Sequence, residues 1–339
     1  MKTDTIPDDL SKNQNSDNHI SNSRIFHYRE YEDKLELYRL KKDQNLRISV
    51  GIPTFNEMET IGQIVEKIRL ELMSSNMQIV DEVAIIDSGS TDSTRKEAIM
   101  AGAKFYLADN YMLEVKPCRG KGENLWKSLY VLQGDIIVWI DADIKNFHTG
   151  YITGLIGPLL ENKELLYSTA FYRRPLQLNN GDVNYDGGRV TELLVRPFLS
   201  YFIPELADFF QPMSGEHAGR RELLEKLRFF TGYSVDVAIL ADITSSIGKN
   251  VIAQVNLGER IHRNRDIQSL SKEAFGVLQT LVNLAVRWNR LEVFKNWTEL
   301  YGIDFKGESP FISSLELIEK ERLPIINYEN YKCKFTLSN

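Results

Sequence analysis

Asp135-Ile136-Ile137-Val138-Trp139-Ile140-Asp141-Ala142-Asp143 is the stretch whose reading decides the fold. Ile136 to Ile140 form an apolar run of strand length with a β-branched bias. Asp141 and Asp143 follow where such a strand ends. Open α/β sheets place their ligand sites at the carboxyl ends of strands. Two carboxylates one residue apart can there present hard oxygen ligands to a divalent cation. Mg²⁺ and Mn²⁺ favour carboxylates combined with phosphate oxygens, which is what an enzyme handling a nucleoside diphosphate needs. The plain alternative is a solvated loop with an Asp helix cap, because Asp-x-Asp is a common sequence.

The residues upstream weigh against that alternative. Val50-Gly51-Ile52-Pro53-Thr54-Phe55-Asn56-Glu57 ends an apolar strand in a Pro-containing loop. Asn56 or Glu57 opens an amphipathic helix through Ile61, Ile64, Val65, Ile68 and Leu72. Val83 to Ile86 read as a second strand, running into the acceptor-rich turn Asp87-Ser88-Gly89-Ser90-Thr91-Asp92-Ser93-Thr94 and a capped helix over 92–101. A short strand is expected at Lys104–Leu107. Arg119-Gly120-Lys121-Gly122-Glu123 then precedes a helix containing Leu125, Trp126, Leu129 and Leu132. Alternating strands and helices with short connections predict a parallel, doubly wound α/β sheet.

Pro53–Glu57, Asp87–Thr94 and Asp141–Asp143 together resemble the GT-A class of nucleotide-sugar glycosyltransferases. Further motifs narrow the resemblance to the glucosyl-3-phosphoglycerate synthases, retaining glycosyltransferases of family 81. These are Gly120–Trp126, Phe171–Leu176, Gly187–Leu193, Gln211–Glu216, Ala253–Gly258 and Ile261–Arg265, collinear over roughly residues 47–266. The resemblance implies a GT-A type, Rossmann-like, mostly parallel sheet with a C-terminal acceptor-binding and helical portion.

Composition is compatible with this. At 339 residues the chain can bury a large core. A net charge of −6 argues against nucleic-acid binding but leaves an anionic substrate open, since local Arg and Lys clusters decide that. Two cysteines, Cys118 and Cys333, imply no disulfide framework and suit a reducing compartment, hence a cytoplasmic enzyme. No run of 18 apolar residues suggests a membrane span. No Gly-x-x-x-x-Gly-Lys-Ser/Thr sequence marks a P-loop ATPase.

Five segments are expected: a disordered polar tail at 1–25, a helix at 26–46 packing on the core, a nucleotide-sugar-binding half at 47–145, an acceptor-binding half at 146–266, and a helical extension at 267–339. Within the last, the amphipathic stretch Leu270 to Leu291 is a candidate homodimer contact or an outer wall of the core.

The family pattern, carried over residue by residue, implies roles. Pro53, Thr54, Asn56, Glu57 and Ser88 match nucleoside-binding loops, although Pro53 and Asn56 also suit a rigid turn and helix cap. Lys121, between two glycines, offers an ammonium to phosphate or base oxygens. Asp143 and His262 are implied metal ligands, with Asp141 nearby, for Mg²⁺ or else Mn²⁺ or Co²⁺. Ala142 and Arg260 join the donor site. Gly188, Arg189, Thr191 and Asn264 match the acceptor site, whose amides and guanidinium can receive a phosphate and a carboxylate. Asp236 stands where the family usually has Glu, and that carboxylate contacts the donor sugar. His148 and His217 carry no implied role; position 217 is usually another residue type in the family.

The expected activity is metal-dependent transfer of glucose from an NDP-glucose, UDP-glucose by preference, to the 2-hydroxyl of D-3-phosphoglycerate. Its product is a phosphorylated precursor of glucosylglycerate. The alternatives are a mannosyl-3-phosphoglycerate or glucosylglycerate synthase on the same fold, a sugar-1-phosphate nucleotidylyltransferase, and a non-catalytic nucleotide-sugar-binding protein.

Overall fold

The computed structural model describes residues 24–74, 76–177, 183–184, 188–261, 267–292, 298–306 and 309–336. Four strands of the main sheet come in succession from residues 48–139: β2 (Ile48–Thr54), β3 (Glu82–Asp87), β4 (Lys104–Leu107) and β5 (Ile136–Trp139). They alternate with α2 (Ile61–Leu72), α3 (Thr94–Met100) and α4 (Lys121–Val131). Helix α5 (Gly150–Glu161) leads to β6 (Tyr167–Arg173), followed by α6 (Arg196–Phe202), β7 (His217–Arg220), α7 (Val235–Ser246) and β8 (Ile252–Glu259). Chain-initial β1 (Ile25–His27) completes one sheet of eight strands, ordered β1-β8-β6-β7-β5-β2-β3-β4. Only β7 runs antiparallel to its neighbours. The mostly parallel α/β fold expected from the sequence is the one observed.

The central strands read as continuous apolar runs because both faces are covered. Ile48, Val50 and Ile52 of β2 are fully buried on one face, and Ile137 and Trp139 of β5 on the other. Helix α2 buries Ile61, Ile64, Val65, Ile68 and Leu72, the stripe that its sequence period predicts.

Three expectations are corrected. Residues 26–46 are not one helix. Ile25 to His27 pair with β8, a 3₁₀ turn follows at Tyr28–Tyr31, and α1 (Lys34–Asp43) begins after Asp33 caps the Leu35 and Glu36 amides. Strand pairing with Gln254 to Asn256, far off in sequence, overrides the local apolar spacing. The polar tail accordingly stops short of residue 25; residues 1–23 lie outside the described ones. The segment after 266 is not purely helical either. Helix α8 (Ile267–Arg287) is followed by an antiparallel hairpin, β9 (Glu299–Lys306) and β10 (Ser309–Glu316). Glu321 and Arg322 then pair with Phe229 and Phe230 before α9 (Glu329–Thr336). The two expected halves at 47–145 and 146–266 share the central sheet.

Candidate active site

The carboxyl ends of β2 and β3 are stitched together. Thr54 Oγ1 donates to Asp87 Oδ2 at 2.7 Å. Asp87 Oδ1 also accepts from the Gly89 and Ser90 amides, closing a turn in which Gly89 has φ +90°. Asn56 lies in the left-handed region at φ 58°, and its side chain accepts from the Thr91 amide. Ser88 Oγ donates to Asn124 Oδ1 at 3.0 Å, fixing the turn to α4.

Helix α4 starts where a second chain segment supplies acceptors. The Gly122 and Glu123 amides donate to the Gly232 and Thr231 carbonyls at 3.2 and 3.0 Å, which satisfies donors left open at a helix start. A Cβ on Gly122 would sit 1.8 Å from the Phe230 carbonyl oxygen, so no other residue fits there. Lys121 is thereby aimed inward. Its Nζ lies 2.9 Å from Asp141 Oδ1 and 3.2 Å from Asp236 Oδ2. Burial alone would lower its pKa, but Asp141, Asp236 and Glu216 outweigh burial and hold it well above the ordinary lysine value. Lys121 is a fixed positive charge.

Arg260, at the end of β8, is the second fixed cation. Its Nη2 contacts Asp141 Oδ2 at 2.9 Å and Asp143 Oδ1 at 2.7 Å. Its Nε lies 3.2 Å from Glu216 Oε1, close enough for an ion pair though not aligned as a hydrogen bond. Burial opposes the Asp141 charge, yet Lys121 and Arg260 together keep that carboxyl well below the usual range. Glu216 is fully buried, and burial raises its pKa despite Arg260. Gly215 allows this crowding: a Cβ there would fall 2.0 Å from Asp141 Oδ2.

Lys121, Asp141, Asp236 and Arg260 floor a cleft of about 830 Å³, within the usual size range of ligand sites. On one side Pro53, Thr54, Glu57, Ser88, Ala142 and Asp143 line it. On the opposite side stand Gly188, Arg189 and Thr191, where the chain turns into a helix after Gly188 at φ +87°. Every expected site residue among the described ones therefore lines the cleft except Asn56. That side chain holds the Thr91 amide and borders a smaller cavity of about 330 Å³ beside it. His262 and Asn264 lie outside the described residues.

Four further side chains were not singled out from sequence. Arg119 and Arg174 line the cleft. Glu216 and His217, consecutive at the start of β7, face Arg260 and Asp236 respectively. Glu216 and Arg174 lie inside motifs that carried the family resemblance, which was a usable signal. His217 had none.

A divalent cation fits this donor set. Asp141 and Asp143 already converge on one cationic nitrogen of Arg260. Asp141 has both oxygens engaged, by Lys121 and Arg260, whereas among the described residues only Oδ1 of Asp143 is engaged. Asp143 is thus the better placed ligand. Asp141, Asp143, Asp236 and Glu216 surround Lys121 and Arg260, and a divalent cation at Asp143 would offset part of that negative charge. Among the described residues no group of three His, Cys, Asp or Glu side chains gathers as a complete metal cage.

Comparison with known proteins agrees with this architecture. The family model for glycosyl transferase family 2 matches residues 49–228. The glucosyl-3-phosphoglycerate synthase of Petrotoga mobilis is 43% identical over 314 residues, covering 92% of this chain and 96% of that protein. The Mycolicibacterium smegmatis synthase is 43% identical over 236 residues, covering 70% and 77%. The crystal structure of the Mycobacterium tuberculosis synthase with Mn²⁺, UDP and glucosyl-3-phosphoglycerate matches with a TM-score of 0.75 at 35% identity, covering 87% of this chain and 95% of that one. The mannosyl-3-phosphoglycerate synthase of Rubrobacter xylanophilus matches with a TM-score of 0.81 at 30% identity, covering 90% and 97%. The chain belongs to the glucosyl-3-phosphoglycerate synthase family of glycosyltransferases, on the fold that the glycosyl transferase family 2 model describes.

Proposed function

We propose that this chain transfers glucose from UDP-glucose to the 2-hydroxyl of D-3-phosphoglycerate with retention at the anomeric carbon. The observation that carries the reading is one cleft lined on one side by the strand-end loops of β2, β3 and β5 and on the other by Gly188, Arg189 and Thr191. Relatives crystallised with Mn²⁺, UDP-glucose and phosphoglyceric acid support both substrates and the metal.

Pro53, Thr54, Glu57 and Ser88 take the nucleoside. Lys121 and Arg260 face the phosphates as permanent cations, and Asp236 accepts from hexose hydroxyls. Arg189, Thr191 and Asn264 receive the phosphate and carboxylate of the acceptor, with Arg174 beside them. Asp143 and His262 would hold Mg²⁺ or Mn²⁺, which when bound would neutralise charge developing on the leaving diphosphate. Lys121 is held as the ammonium and has no lone pair with which to accept a proton. Each floor carboxylate is already faced by a cation, which disfavours a covalent glycosyl-enzyme. The acceptor hydroxyl therefore attacks the face that the diphosphate leaves and gives its proton to a diphosphate oxygen.

A mannosyl donor is the second reading, favoured by Asp236 in place of the longer Glu and by the Rubrobacter match. One panel separates them: UDP-glucose, GDP-glucose and GDP-mannose, each with 3-phosphoglycerate or glycerate, with Mg²⁺ or a chelator. Turnover with GDP-mannose above UDP-glucose sinks the glucosyl assignment. The reading extends to a homodimer in the cytoplasm. Two free cysteines and the absence, among the described residues, of a helix able to cross a membrane are compatible with that compartment. Light scattering should give twice the 39.0 kDa chain mass.

A further inference from the structure

We propose that His217 is a positioning residue for the donor sugar, acting through Asp236. The inference rests on the reading that Asp236 faces the hexose. Along an extended chain consecutive side chains point to opposite faces. Glu216 reaches Arg260 from one face, and His217 reaches Asp236 from the other. Glu216, just before β7, and His217, its first residue, thus face two members of the same cleft.

His217 is 1% exposed and sits directly across the sheet from Trp139. The Trp139 and Tyr167 rings flank its imidazole with centroids at 5.2 and 5.7 Å, which fixes the ring plane. Nδ1 lies 2.5 Å from the Tyr167 hydroxyl, and Nε2 lies 3.2 Å from Asp236 Oδ1. Burial and the Asp236 charge push the Tyr167 phenol well above its ordinary value, so it keeps its proton. A phenol donating to Nδ1 leaves the hydrogen on Nε2, the nitrogen that faces the carboxylate. Asp236 Oδ2 meets Lys121 at 3.2 Å. The carboxylate thus lies between Lys121 at Oδ2 and His217 at Oδ1, and each oxygen retains a lone pair for a sugar hydroxyl.

The His217–Asp236 contact has ion-pair distance without hydrogen-bond alignment. A small rotation of the carboxylate therefore completes or releases it, and that rotation sets where its free lone pairs point. Asp236 and the histidine behind it form one unit.

The test uses the full-length enzyme with UDP-glucose, 3-phosphoglycerate and Mg²⁺. His217→Phe keeps a planar ring and removes both nitrogens. It should raise the KM for UDP-glucose about tenfold, the scale of one hydrogen bond to a charged group. The KM for 3-phosphoglycerate, and the Kd for UDP by calorimetry, should stay within about twofold, well under the tenfold scale. His217→Gln, which can still donate to Asp236, should recover most of the loss. An unchanged KM for UDP-glucose in His217→Phe overturns the inference, as does a Kd for UDP that rises in step. If His217→Phe does not fold, Tyr167→Phe carries the test: it must raise the donor KM with the UDP Kd unchanged. Asp236→Asn separates the two readings. No donor effect there removes the hexose from Asp236 and the inference with it. A donor effect there without one at His217 overturns the inference alone.

Discussion

Arg322 forks onto Glu123 with hydrogen bonds of 2.9 and 3.1 Å across 199 positions of chain. Glu123 is fully buried in the first turn of α4, two residues past Lys121, and also faces Lys127 at 3.3 Å. Arg322 donates as well to the Lys116 carbonyl at 2.6 Å. The C-terminal segment thereby grips the loop that delivers Lys121.

The two partners should not be equally expensive to lose. Arg322→Met leaves Glu123 facing Lys127, so its cost should fall below the roughly 3–5 kcal/mol typical of an orphaned buried charge. Glu123→Met strips both cations of their carboxylate and should cost more. Urea unfolding of each variant gives the order, and Arg322→Met proving the more costly would contradict it.

Arg189→Ala should raise the KM for 3-phosphoglycerate by roughly ten- to a hundredfold, from loss of charged hydrogen bonds worth ~1.5–3 kcal/mol each. Donor hydrolysis without acceptor should change little. Loss of UDP-glucose binding in calorimetry would move Arg189 to the donor side.

Asp143→Ala should cut kcat at least ~100-fold, about 2.7 kcal/mol of transition-state stabilisation. His262→Ala should do the same, and the double variant should lose little more, because one missing ligand already empties the site. EDTA should abolish wild-type turnover, with Mg²⁺ or Mn²⁺ restoring it. Full activity after exhaustive chelation would leave Lys121 and Arg260 as the diphosphate clamp.

Glu319 offers a pH test. Burial raises its carboxyl pKa even though Ser234 Oγ and the Gly232 amide both donate to its Oε1. A pKa raised in the folded state means stability that is complete below the ordinary value of 4.5 and is lost as pH rises through the folded value. Glu319→Gln keeps an oxygen for both donors and removes the charge. Its Tm should exceed wild type at pH 7 by about 1–2 °C, with the gap closing toward pH 4. A Tm below wild type at pH 7 would mean that the charge itself is stabilising.

Legibility in the sequence followed sequence distance. The ends of β2, β3 and β5 were readable because the apolar run and the polar turn are contiguous. Lys121 and Asp141 were readable as separate motif residues, but their 2.9 Å pairing arises from packing α4 against the sheet. His217 looked inert because its partners come from β6 and α7, brought beside it by the antiparallel insertion of β7. The segment at 26–46 misled for a related reason: nothing near Ile25 in sequence announces a strand partner at Gln254. The hairpin of β9 and β10 lies in a region where scattered aromatics and prolines gave no decisive period.

That distant pairing has a consequence for biosynthesis. At ~5–20 residues per second, roughly 230 residues separate the making of Ile25 from that of Gln254, a delay of about 10–50 seconds. Strands β2 to β5 pair with one another within residues 48–139, so their part of the sheet can assemble during translation. Strand β1 cannot, because β8 does not yet exist. Ile25 leaves the ribosome among the first of the described residues, its pairing waits for Gln254 to be made, and until it docks the outer edge of β8 stays open to any other extended chain.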